Sequence, residues 1–240
     1  MKSPARQQPW NDTPPTPRGP PITGCGWTDN GWPIRPVAAS MAGVTEAEQV
    51  PAAATESVPD RWTKGTVYDD MWVDPADDPR ESDEAVPDGE LPTLLDYLRN
   101  YRLTLRMKCD GLDAEQLARR SVPPSTMSLL GLVRHLAGVE HYWGTVVVGG
   151  QDGPRPFTGD DDFDGAVGDE TVVAEAFALW DQEMAATDAA VAAHPDVGER
   201  LASGDGIAVR EVLVHLIEEY ARHCGHADLI RERIDGRVGQ

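Results

Sequence analysis

From Leu91 onward, apolar residues recur with a period close to 3.6. Leu91, Leu94, Leu95, Leu98, Tyr101, Leu105 and Met107 fall along a helix predicted over residues 91–109, with Pro92 tolerated in its first turn and Gly111 ending it. A short turn over residues 112–117 leads to Pro123 and Pro124, after which Ser125, Thr126 or Ser128 can cap a second helix. Leu132, Leu136, Val139, Trp143 and Val146 stripe that helix, and Gly149 and Gly150 stop it. A third helix is predicted at about residues 171–193, with Val173, Phe177, Trp180 and Met184 inward, an alanine-rich body and the pair His194-Pro195 beyond its end. The fourth, at about residues 209–234, carries the stripe Leu213, Leu216, Tyr220, His223, Ala227 and Ile230. Four amphipathic helices of bundle length, with no period-two pattern and no internal repeat, predict an all-α fold, a four-helix bundle.

The first third of the chain has neither period. Fourteen of the 20 prolines and five of the seven tryptophans lie before Asp88. Residues 1–66 are expected to form a disordered, Pro-rich extension, because such a mixture sustains neither a helix nor a central strand. Trp27, Trp32 and Trp62 either dock on the folded domain or mark a partner-binding segment. Residues 67–240 form the expected domain, entered through an acidic, extended lead-in that ends near Asp88. The loop 151–170 is glycine-rich and acidic, long for a bundle connection and too polar to pack tightly; it is expected to be solvated and to lie over a site.

Composition narrows the partners. With 41 acidic against 21 basic residues, the formal charge of −20 disfavours nucleic acid and anionic membrane, which reward positive charge. Cys25, Cys109 and Cys224 are odd in number and in no CxxC spacing, so neither a disulfide framework nor a cysteine-rich zinc cluster is suggested. The N-terminus lacks the apolar core of a signal peptide, and no apolar run is long enough to span a bilayer. A cytoplasmic protein is the expectation.

The candidate chemistry lies on the fourth helix. Glu219 and His223, four residues apart, stack on one face, and a carboxylate near the core is expensive unless paired or metal-bound. His135, at the edge of the second helix's stripe, is the best third ligand and would leave open coordination positions. His215 stands four residues before Glu219 and His226 one turn after His223, so spacing alone leaves both as alternatives. Elsewhere, Glu218 and Arg222 read as an exposed ion pair, His141 as solvent-facing beside Glu140, and His194 as a helix-end residue. Cys109 and Cys224 read as buried thiols. The acidic run 160–164 lacks the ligand spacing of a calcium loop.

The segments His135-Leu-Ala-Gly-Val-Glu-His-Tyr-Trp143 and Glu219-Tyr-Ala-Arg-His-Cys-Gly225 resemble, in order and placement, the DinB-like superfamily of metal-binding four-helix bundles. The resemblance spans about residues 68–238 and is closest to an actinobacterial branch, which shares Asp70-Met-Trp-Val-Asp-Pro75 and the phrase from Val122 to His135. It implies a divalent metal on His135, Glu219 and His223. Many members have histidine where Glu219 stands, but the related mycothiol-dependent maleylpyruvate isomerases have glutamate. Two nitrogens and a carboxylate suit zinc, the expected ion, as well as nickel, iron or cobalt. The resemblance further implies mycothiol as cosubstrate and a thiol-dependent transferase acting on small electrophiles, with Trp143, Tyr220 and His226 as pocket residues. The partners are then a small-molecule thiol and an electrophile, not nucleic acid or membrane; a homodimer is admitted. A non-enzymatic, stress-associated metal-binding or interaction bundle is the alternative.

Overall fold

The computed structural model describes Pro59, residues 78–81 and residues 86–239. The expectations for residues 1–66, of which Pro59 alone is described, including Cys25, Trp27, Trp32 and Trp62, and for the lead-in before Asp78, fall outside the described residues. Among those described, all regular structure is helical apart from one isolated antiparallel bridge between Arg200 and Ala208.

Four long helices form the expected bundle: α1 (Glu90–Cys109), α3 (Leu129–Glu140), α5 (Glu170–Ala192) and α6 (Val209–Asp235). Helix α1 packs along α6, and α3 along α5. The predicted stripe of α6 is buried at every position, from Leu213 to Ile230, because a 3.6-residue repeat keeps those side chains on one face. Leu98, Leu105, Leu129, Leu130, Leu132, Leu136 and Trp180 meet it in a continuous core. Each large aliphatic side chain so buried contributes about 1.5–3 kcal/mol.

Local chemistry starts the helices where polar residues meet apolar runs. Of the three predicted caps of α3, Ser128 does the work, its hydroxyl accepting from Gly131 N–H at 3.1 Å. The Asp169 carboxylate caps α5 by accepting from Thr171 and Val172 N–H. Residues 112–117 are more than a turn. Asp113 and Gln116 form a reciprocal capping box that nucleates the short helix α2 (Ala114–Ala118).

The second predicted helix departs from ideal periodicity. Past Glu140 it widens into a π-helical stretch, His141–Val148, in which Gly149 N–H donates to the Gly144 carbonyl five residues back at 2.8 Å. The wider turn rotates the following side chains, so Val147 and Val148 are both buried instead of Val146. It also turns His141 inward: only 8% of it is exposed, and its Nδ1 lies 3.3 Å from Glu183 on α5, correcting the solvent-facing expectation. Gly144 makes the approach possible, since a Cβ there would sit 1.8 Å from Thr187 Oγ1 and 2.8 Å from its Cα.

Charges enter the core as well. Arg102 lies on the inward stripe of α1 and makes a two-pronged pair with Glu140, Nε to Oε1 at 2.8 Å and Nη2 to Oε2 at 2.9 Å. Burial opposes the charged guanidinium, but Glu140 outweighs it and raises the Arg102 pKa above its ordinary value. Glu140 is fully buried, and the Tyr220 hydroxyl donates to it at 2.8 Å while accepting from Trp180 Nε1–H at 2.7 Å. All four long helices thus share one polar network. Lys108, also buried, reaches Asp228 at 2.6 Å and ties α1 to α6.

Candidate metal centre

Three turns of α6 place His215, Glu219 and His223 in a row. The Glu219 Oε1 lies 3.6 Å from His215 Nε2 and its Oε2 lies 3.4 Å from His223 Nε2. The contact with His223 holds the Glu219 carboxyl below the usual carboxylate range against the opposing pull of burial, with smaller help from His215 and His135. From α3, His135 approaches so that its ring centroid is 4.8 Å from that of His223. One ligand atom from each of His135, Glu219 and His223 lies within 4.8 Å of the others. Among the described residues this is the one such group, and it is the trio the sequence singled out.

The ring nitrogens are already sorted. His135 Nδ1 lies 2.9 Å from Asp162 Oδ2, and His223 Nδ1 lies 3.3 Å from His226 Nδ1. Each ring therefore keeps Nε2 for the shared space. Burial, with His223 and then Arg222 adding to it, pushes His226 below the ordinary imidazole range and favours its neutral form. Spacing offered His215 and His226 as alternative ligands; the structure sets them at the border of the trio, where His215 packs against Trp143 with centroids 4.6 Å apart.

The loop after α3, expected to lie over a site, touches His135 through two particular side chains that the sequence did not single out. It contains a short helix, α4 (Asp161–Asp164), whose Asp162 is only 9% exposed and whose Phe163 stacks on His135 with centroids 5.4 Å apart. The expectation that this acidic run is merely solvated is corrected at these two positions. Gly131 gives Phe163 room, since a Cβ there would come within 2.8 Å of its ring. Arg134, next to His135, donates from Nε to the Asp162 carbonyl at 3.0 Å and from Nη2 to the Asp161 carbonyl at 2.9 Å. Its guanidinium also lies 4.1 Å from the Phe157 ring centroid. The one available signal was a single aromatic residue inside an otherwise acidic run.

Of the predicted pocket residues, His226 borders the trio through His223, and Trp143 packs on His215, which in turn faces Glu219. Tyr220 does neither: it is sealed in the core, its hydroxyl occupied by Glu140 and Trp180. The two described cysteines are buried as expected, and burial pushes both thiols up to about 12. Glu218 and Arg222 form the expected exposed ion pair. His194 stands just past α5 with Glu199 at 3.0 Å.

A family model described as mycothiol-S-transferase matches residues 93–236, from the first turn of α1 to the residue after α6. The chain belongs to the mycothiol-S-transferase family. The match takes in all four long helices and every residue of the candidate centre, and it agrees with the DinB-like resemblance read from the sequence. No curated protein matches the chain. No helix among the described residues is long and apolar enough to cross a membrane.

Proposed function

We propose that this member of the mycothiol-S-transferase family is a divalent-metal-dependent enzyme that joins the sulfur of mycothiol to a small electrophile. The supporting observation is the convergence of His135, Glu219 and His223, whose ligand atoms lie within 4.8 Å of one another at the border of the core. The donor set fits a metal. Two imidazoles with Nδ1 already engaged and one carboxylate held ionised supply three ligands and a single negative charge. Zinc is the proposed ion, with nickel or iron compatible. A dication held there with open positions lowers the pKa of a thiol that reaches it, so that thiolate is available at neutral pH.

The protein's own groups bind and orient. His135 and His223 would donate lone pairs to the ion and Glu219 would offset part of its charge, leaving a positive balance that favours a thiolate. Trp143, His215 and His226 form the rim that a thiol and an electrophile would meet, and the arm carrying Asp162 and Phe163 shields His135 from water. In a substitution the sulfur forms a bond to the electrophilic carbon as the leaving group departs with its bonding pair. Cys109 and Cys224 are unsuited to supply that sulfur, because their thiols stay protonated at neutral pH.

Cobalt-substituted protein tests the reading. Mycothiol should produce a sulfur-to-cobalt charge-transfer band that Glu219→Ala abolishes, with consumption of both thiol and electrophile in a panel of small electrophiles. Absence of both the band and the turnover would replace the transferase with a non-enzymatic metal-binding bundle.

A further inference from the structure

We infer that Asp162 is a positioning residue for the metal centre: its carboxylate fixes the tautomer and ring orientation of His135, so that the loop between α3 and α5 sets the affinity for the ion. The inference rests on the metal reading of the preceding section and deepens it. An imidazole can offer a lone pair from one nitrogen only if its proton sits on the other. Among the described residues, the hydrogen-bond partner of His135 is Asp162 Oδ2, 2.9 Å from Nδ1, and a carboxylate can only accept. The proton is therefore drawn to Nδ1 and the lone pair is left on Nε2, the nitrogen available to Glu219 and His223. Without that acceptor, the Glu219 carboxylate, an oxygen of which lies within 4.8 Å of a His135 ring nitrogen, would be the remaining acceptor and would favour the Nε2-protonated tautomer.

The arm is built to hold this acceptor in place. Asp162 Oδ1 accepts from Phe163 N–H at 3.0 Å, which orients the carboxylate, and Phe163 stacks on the same imidazole that Oδ2 engages. Arg134 grips the carbonyls of Asp161 and Asp162, so two consecutive residues of α3 hold the arm, one by its backbone and one by its carboxylate. Because Arg134 uses the Asp162 backbone, removing that side chain leaves the arm tethered. Neighbouring acids do not share the role: Asp160 is exposed and caps nothing with its side chain, and Asp164 pairs with Arg120 at 2.9 Å. Carboxylate partners of this kind orient metal-ligating histidines and raise their basicity.

The test uses the full chain and two readouts. Zinc affinity, measured by competition with a chromophoric chelator, should fall about 10- to 100-fold in Asp162→Ala. Asp162→Asn should fall between, since its amide oxygen still accepts from Nδ1–H without the charge, and Asp160→Ala should bind as the wild type does. Independently, nitrogen-15 spectra of the metal-free chain, recorded at about pH 8 where ordinary imidazoles are neutral, should show His135 protonated on Nδ1. In Asp162→Ala it should move toward the Nε2-protonated form. Retention of the Nδ1 tautomer in Asp162→Ala, unchanged zinc affinity in that variant, or an equal loss of affinity in Asp160→Ala would each overturn the proposal. A wild-type chain that binds no zinc would overturn the metal reading instead, and the tautomer of the metal-free chain would still decide the role of Asp162.

Discussion

Glu219 Oε2 and His223 Nε2 lie 3.4 Å apart on successive turns of α6, close enough to hold one ion between them yet too far for a strong hydrogen bond. With His135 they make the one candidate three-ligand group among the described residues. Purified protein should therefore carry about one divalent ion per chain. In His223→Ala the ion should be lost, whereas His141→Ala should retain it, because His141 faces Glu183 on α5. Elemental analysis of the two variants decides; equal losses would place the centre elsewhere.

Removing the buried Arg102 is predicted to cost far more stability than removing an exposed ion-pair partner. Its truncation to alanine strands the fully buried Glu140 carboxylate, which among the described residues then keeps only the Tyr220 hydroxyl, and breaking such a pair costs about 3–5 kcal/mol. Arg120→Ala removes an exposed pair with Asp164 and should cost no more than about 1 kcal/mol. Urea denaturation of both variants provides the comparison, and equal midpoints would contradict it.

The two described cysteines should be inert in the native state. Burial raises both Cys109 and Cys224 to about 12, and only the thiolate is reactive. Peptide mapping after alkylation at neutral pH should find both unmodified until denaturant is added. Modification of Cys224 in the folded protein would reopen the question of a protein nucleophile.

Acid should selectively weaken the start of α5. Hydrogen bonds from Thr171 and then Val172 N–H hold the Asp169 carboxyl below its ordinary value of 3.8. A depressed folded pKa means that the ionised group stabilises the fold above the unfolded value, and that this stability is lost as pH falls through the folded one. Asp169→Ala should therefore lower Tm at neutral pH, with the difference from wild type narrowing below about pH 4. A difference constant from neutral to strongly acidic pH would show that the charge contributes nothing.

What the sequence determined by itself is the part governed by local periodicity. The stripes of α1, α5 and α6, the Ser128 cap and the four-residue spacing of Glu219 and His223 follow from helix geometry, so the bundle and two of the three candidate ligands were legible without a fold. His135 was legible as a histidine at the edge of an apolar stripe, and the resemblance at its segment strengthened it. Tertiary structure decided the rest. Where a helix widens depends on what packs against it, and the approach of Gly144 to Thr187 goes with the π-helical turn that buries His141. Whether a charged residue can sit on an inward stripe depends on a partner 38 residues away, as Glu140 is for Arg102. Asp162 stood in an acidic run with nothing in its own spacing to separate it from its neighbours; only the fold of the loop onto α3, 27 residues away, brings its carboxylate to His135. Helical repeats are short-range, whereas the pairing of buried charges and ring nitrogens is fixed by whichever groups the packed chain places within hydrogen-bond reach.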